Sequence, residues 1–178
     1  MKLCNSIESY GFVSKILHWL IALLVLVMLV VGASFGYLPD NIVDILMPIH
    51  KSMGVTILGL MVVRLVWRLA NPVPRLPKKM PRWQMILAKS VHHLFYLLLI
   101  AMPITGIVMT LAKGYSLPFW SFGNIELSFI PKDLALGHLM AHWHGYLAWT
   151  ITTLFVLHTA AALKHHFVDR DDVLRRMM

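Results

Sequence analysis

Four apolar stretches dominate the chain, each close to the ~20 residues that a helix needs to cross a bilayer. They run from Ile16 to about Leu38, from about Ile45 to Leu69, from about Met85 to Leu111, and from about Leu139 to Leu163. Apolar residues lie all around each segment, as expected for helices that face lipid and one another. The first run starts near Ile16 and is too long for a signal-peptide core, so it reads as a retained helix. These stretches predict an all-α membrane protein, a four-transmembrane-helix bundle forming a single domain over residues 1–178.

The connections differ in character. Pro39 to Asp44 reads as a short turn. Asn71 to Trp83 holds Pro72, Pro74, Pro77 and Pro81 among basic residues, a composition that excludes a helix. Ala112 to Gly137 is the longest loop, and its Tyr115, Phe119, Trp120 and Phe122 suit an interfacial aromatic belt.

Composition decides what the charge means. With 58% hydrophobic and 13% charged residues and a mean hydropathy of +0.71, the chain lacks the polar surface of a soluble domain. The net charge of +8 therefore points to membrane topology, not to nucleic acid. Of the 16 Lys and Arg, only Lys51, Lys113 and Lys132 fall on the side opposite the termini. The positive-inside rule then puts both termini in the cytoplasm of a multi-pass protein. A lone cysteine, Cys4, excludes a disulfide framework, a Cys₄ iron–sulfur cluster and covalent haem attachment.

The chain has 10 histidines against 8 Asp plus Glu, and histidine is costly inside a bilayer unless it has a role. His144 and His158 are 14 residues apart on the fourth span. They fall within roughly 40° of each other, on one helix face, about 21 Å apart along the axis. One stripe therefore presents an imidazole near each membrane surface. By depth, His18 matches His158 on the cytoplasmic side and His50 matches His144 on the outer side. Imidazole is a standard haem ligand, and bundles build cofactor sites from facing helices. Two haems stacked across the four-helix bundle follow, each with two histidine ligands and no open iron position.

Other readings stay open at this point. His92 and His93 lie at a depth where either could replace His18. His92 also suits a propionate or quinone contact, and His165 a quinone contact or plain solvation. His138, His142 and His166 read as interfacial. Gly54 and Gly145 allow either close approach of a macrocycle or ordinary helix packing. Arg64, Arg68 and Lys51 could pair haem propionates or snorkel to the headgroups, and Arg68 reads better as snorkelling. Lys51 could also attract an anionic donor. A metal-transport path would require carboxylates in the spans, and the first and fourth have none.

These residues resemble the bacterial cytochrome b561 family, the four-helix dihaem b-type cytochromes of the inner membrane. The matching segments are SYGFVSKILHW, HKSMG, MVVRLVWRLANPVP, HGYLAWTITTLFVLH and ALKHHFVDRDDVLRRM, spread from about Ser9 to Met177. By matching position the resemblance implies His18 and His158 as ligands of one haem, and His50 and His144 as ligands of the other. It implies electron transfer with ubiquinone as acceptor. The family includes superoxide oxidase, which passes electrons from superoxide to ubiquinone. Another branch occurs with small periplasmic lipid-binding partners, and the SYG, HKS and LKHHF segments look nearer to it. Related cytochrome subunits serve membrane hydrogenases and formate dehydrogenases. The expected function is electron transfer between an outer-face one-electron donor and the quinone pool. The alternative is a haem-bearing membrane anchor for a periplasmic protein or a dehydrogenase.

Overall fold

In the computed structural model, which describes residues 2–75 and 80–178, four long helices carry the chain back and forth. They are α1 (Phe12–Ser34), α2 (Asp40–Ala70), α3 (Arg82–Ala112) and α4 (Leu134–Lys164). All four are long and apolar enough to cross a membrane. A 31-residue helix is about 46 Å long and overshoots the ~30 Å hydrocarbon core, so the ends of α2, α3 and α4 reach the headgroups.

The helix boundaries follow local chemistry. Gly11 precedes α1, which begins four residues before Ile16 and ends at Ser34, not Leu38. The following turn is Phe35–Pro39, so Asp40 to Asp44 belongs to the first turns of α2. Pro39 suits the N-terminal edge of α2, where its missing N–H costs nothing. Pro81 plays the same part for α3, which takes in Arg82 and Trp83. The Asn71–Pro74 stretch is extended or bent, as its prolines require, whereas Pro77, Lys78 and Lys79 lie outside the described residues. Asp133 caps α4 by accepting from the backbone N–H groups of Ala135 and Leu136 at 2.8 and 3.1 Å. That cap starts α4 five residues before Leu139 and shortens the preceding loop to Lys113–Asp133. Beyond Lys164 the helix widens into a π-helical turn, His165–Asp169, stopped by Arg170 at φ 52°.

Sequential helices pack as neighbours, α3 against α4 most extensively. The centre is a layer of Ile21 and Val25 from α1, Ile57 and Met61 from α2, Leu98 and Leu99 from α3, and Ile151 from α4. Most other apolar side chains point outward, among them Leu23, Val30, Val63, Val66, Leu97 and Val156. That is the inverse of a soluble bundle and fits lipid as the surrounding solvent.

The termini meet at one end. Trp19 Nε1 donates to the Met177 carbonyl at 2.6 Å and Lys15 Nζ to the Met178 carbonyl at 3.2 Å. Asn5 Nδ2 donates to the Pro72 carbonyl, and Arg176 Nη1 to that of Arg75. At the other end the Lys113–Asp133 loop folds back over α2. Lys51 Nζ donates to the Ser116 carbonyl at 3.0 Å and lies over the Tyr115 ring. Ser52 Oγ accepts from the Trp120 backbone N–H at 3.0 Å, and Trp120 Nε1 donates to Thr56 Oγ1 at 3.0 Å. These anchors hold Trp120 at φ 49°, a left-handed backbone that a bulky side chain rarely adopts.

Candidate functional site

The layer Ile21–Ile57–Leu99–Ile151 separates two histidine clusters. At the end covered by the loop, His50 on α2 faces His144 on α4 with ring centroids 6.4 Å apart and ring planes at 70°. At the end that gathers the termini, His18 on α1 faces His158 on α4 at 6.3 Å and 79°. Two metal–imidazole bonds of about 2 Å, plus ~1.1 Å from each nitrogen to its ring centre, put trans imidazoles about 6.3 Å apart. Both pairs have that separation. Each pair could therefore hold a haem iron between its two imidazoles.

The His50–His144 pair sits in an apolar cleft that is partly open to the surroundings. Its walls include Val25, Met28, Leu29, Val55, Met102 and Ile107, and Lys51 is its one charged lining residue. Leu117, 2% exposed, closes it from the loop. His144 Nδ1 lies 3.1 Å from both the Met102 carbonyl and Thr105 Oγ1. The Thr105 hydroxyl spends its own proton on that carbonyl at 2.7 Å. Nδ1 is then the protonated nitrogen, and the lone pair is on Nε2, the arrangement that a ligating histidine needs. His50 Nδ1 is buried with no hydrogen-bond partner, and the Phe35 ring packs edge-on at 5.3 Å.

Two glycines lie against these imidazoles, and one of them makes room. A Cβ at Gly106 would lie 3.1 Å from His144 Cε1, and one at Gly32 would lie 3.5 Å from His50 Cε1. Sequence reasoning missed both, because neither adjoins a histidine in sequence. Matching depth to His144 would have pointed to Gly106. Gly54 lines the cleft, and a Cβ there would meet only Met28 Cε, at 4.0 Å. Gly145 does not: it is exposed, and a Cβ there would meet nothing within 4 Å.

The cluster at the end of the termini is larger and cationic. His92 on α3 stands 6.0 Å from His158, so His158 has two imidazole neighbours. Arg64 Nη2 is 3.1 Å from His18 Nδ1. Arg64 and Arg68 both lie over the Tyr96 ring, 5.8 and 5.5 Å from its centre. Arg68 thus folds onto an aromatic face, half-buried, where sequence reading had it snorkelling. Phe95 packs on His158 at 5.4 Å and Trp19 on His18 at 5.3 Å.

The remaining histidines stand apart. His93, His138 and His142 are exposed. His165 is bound into the C-terminal turn, its Nδ1 2.6 Å from Asp171 Oδ2 and 3.3 Å from Asp169 Oδ2. His166 Nδ1 is buried without a partner, and its ring packs on Phe167.

Comparison with known proteins places this bundle. The family model for prokaryotic cytochrome b561 matches residues 9–178. The chain belongs to the prokaryotic cytochrome b561 family. It is 35% identical to cytochrome b561 homolog 2 of Escherichia coli K12 over 186 aligned positions, covering 100% of this chain and 95% of that one. It is 34% identical to a protein of Yersinia pestis named probable superoxide oxidase CybB, covering 96% of each. With cytochrome b561 homolog 1 of E. coli K12 the identity is 29%, over 91% of this chain and 92% of the relative. The chain is thus a transmembrane b-type cytochrome of electron transfer, a multi-pass protein of the bacterial inner membrane. A b-type haem belongs to that identity.

Proposed function

We propose that His18 with His158, and His50 with His144, are the axial ligands of two non-covalent b haems, and that the chain passes electrons between an outer-face one-electron donor and ubiquinone. Haem iron held by two imidazoles supplies one-electron exchange without an open position for oxygen. The observation that carries the reading is the pair of separations, 6.3 and 6.4 Å, at both ends of one α4 stripe. The chain's own residues do the rest. Met102 and Thr105 orient His144, the cleft walls and Leu117 surround it with apolar side chains, and Lys51 gives the outer mouth a positive charge. That charge suits superoxide as the donor, in keeping with the name of the Yersinia relative.

The cation distribution supports cytoplasmic termini. Lys51, Lys113 and Lys132 gather at the loop end, and Lys15, Arg75, Lys164, Arg170, Arg175 and Arg176 at the end of the termini.

The purified protein is expected to show two b-type haems per chain in its reduced-minus-oxidised spectrum, and His144→Ala to keep one. Two haems in His144→Ala would end the pairing. Stopped-flow mixing of superoxide with the cytochrome and ubiquinone is expected to give ubiquinol from the cytochrome alone. Turnover that begins only when a periplasmic protein is added would favour the membrane-anchor reading instead.

A further inference from the structure

Among the described residues, Arg64 and Arg68 have no anionic partner. Both are half-buried on a membrane-spanning helix, where an uncompensated guanidinium is costly. Every ion pair among the described residues lies between Lys164 and Arg176, and none reaches α2. The two are four residues apart, hence neighbours one turn apart on one helix face, and both stack on Tyr96. Like charges at that spacing repel. Two stacked cations are a receptor for two anionic groups, or for one dianion.

The bond from Arg64 to His18 sharpens this. A guanidinium can only donate, so His18 Nδ1 accepts, with its lone pair turned to Arg64. An imidazole that binds iron through Nε2 carries its proton on Nδ1, which then repels the guanidinium. One that binds through Nδ1 uses the same lone pair that Arg64 holds. Either way, Arg64 and iron compete for His18.

We infer that Arg64 and Arg68, braced on Tyr96, form the receptor for the carboxylates of the haem at His18 and His158, and that Arg64 exchanges His18 for a carboxylate when that haem is bound. The inference rests on the bis-histidine reading above. Bidentate pairing with a carboxylate is what a guanidinium does best, and a lipid phosphate is the rival oxyanion.

The test uses the full-length cytochrome in nanodiscs and reads haem per chain, the rate of haem loss and the two waves of a potentiometric titration. Removing a cation favours the ferric form, so Arg64→Gln should lower the potential of one wave and leave the other in place. The expected change is roughly tenfold in that haem's redox equilibrium, the order of a unit charge in a partly buried site. Arg64→Lys should recover most of it, and Arg68→Gln should shift the same wave less. Reconstitution with the dimethyl ester of haem b, which has no carboxylates, separates the causes. Arg64→Gln should quicken loss of that haem several-fold with native haem and much less with the ester, the non-additivity expected of direct partners. An equal quickening with the ester would overturn the inference, as would one that appears only in anionic lipid. Should Arg64→Gln lose the inner haem, Arg68→Gln with native and ester haem decides by the same criterion. Two haems retained in His158→Ala would instead remove the bis-histidine reading.

Discussion

The two ends of the bundle hold imidazole pairs of nearly equal separation in unlike surroundings. The outer pair looks into an apolar cleft, and His144 Nδ1 is served by a carbonyl. The inner pair has a third imidazole, His92, and His18 Nδ1 is served by a guanidinium. One helix, α4, supplies a member of each pair. The difference teaches that ring separation is set by helix packing, whereas the electrostatics of each site are set by residues on α2 and α3. Cations favour the reduced form of a nearby haem, so the inner site is expected to have the higher potential, which favours electron flow inward.

The largest effect should come from filling the space that the outer pair uses. A side chain at Gly106 would press on His144 Cε1 from 3.1 Å, tighter than ordinary contact. Gly106→Leu is expected to lose the outer haem while the inner one stays, so haem per chain falls from two toward one. Gly32→Ala, with 3.5 Å to His50, should keep both. Loss of both haems in Gly106→Leu, with the helical circular dichroism intact, would show that the two ends are not independent.

Much of this arrangement could be read from the chain. The spans declared themselves by length and hydropathy, and the 14-residue spacing of His144 and His158 placed one imidazole at each end. His50 and His18 matched them by depth, a one-dimensional property that the sequence carries, but depth left His92 and His93 as alternatives to His18. What stayed hidden depends on helix rotation. That Arg64 meets His18, that Gly32 and Gly106 back the outer imidazoles, and that Arg68 folds onto Tyr96 all require knowing which faces meet. The start of α4 was missed for a different reason. Asp133 sits among polar loop residues, and its capping role shows only in its bonds to Ala135 and Leu136.

A second, smaller perturbation concerns access. Ser52 Oγ accepts from the Trp120 N–H and lies 3.0 Å from the Pro118 carbonyl, fixing the loop that puts Leu117 over the outer cleft. Ser52→Ala leaves those loop groups unpaired, a local cost of about 1–3 kcal/mol. Amide exchange around Leu117–Trp120 should quicken roughly tenfold or more, in line with that cost. The outer haem should be reduced faster by a water-soluble reductant, and the inner haem at an unchanged intrinsic rate. Equal acceleration at both would mean that the loop does not guard one site.

The smallest effect probes the hydrogen bond that distinguishes His144. Thr105→Val removes one of two oxygens near Nδ1 but leaves the Met102 carbonyl at 3.1 Å, so the proton should stay on Nδ1. An acceptor at Nδ1 raises the basicity of the ligating nitrogen and favours ferric iron. Weakening it should therefore raise the outer potential. One neutral hydrogen bond is worth about 0.5–1.5 kcal/mol, so the outer redox equilibrium should move roughly threefold toward the reduced form. The inner wave should not move, because Thr105 touches nothing at that end. A potentiometric titration resolves both waves in one sample. If the inner wave moved as well, the contrast between an outer site tuned by a carbonyl and an inner site tuned by guanidinium groups would fail at its simplest point.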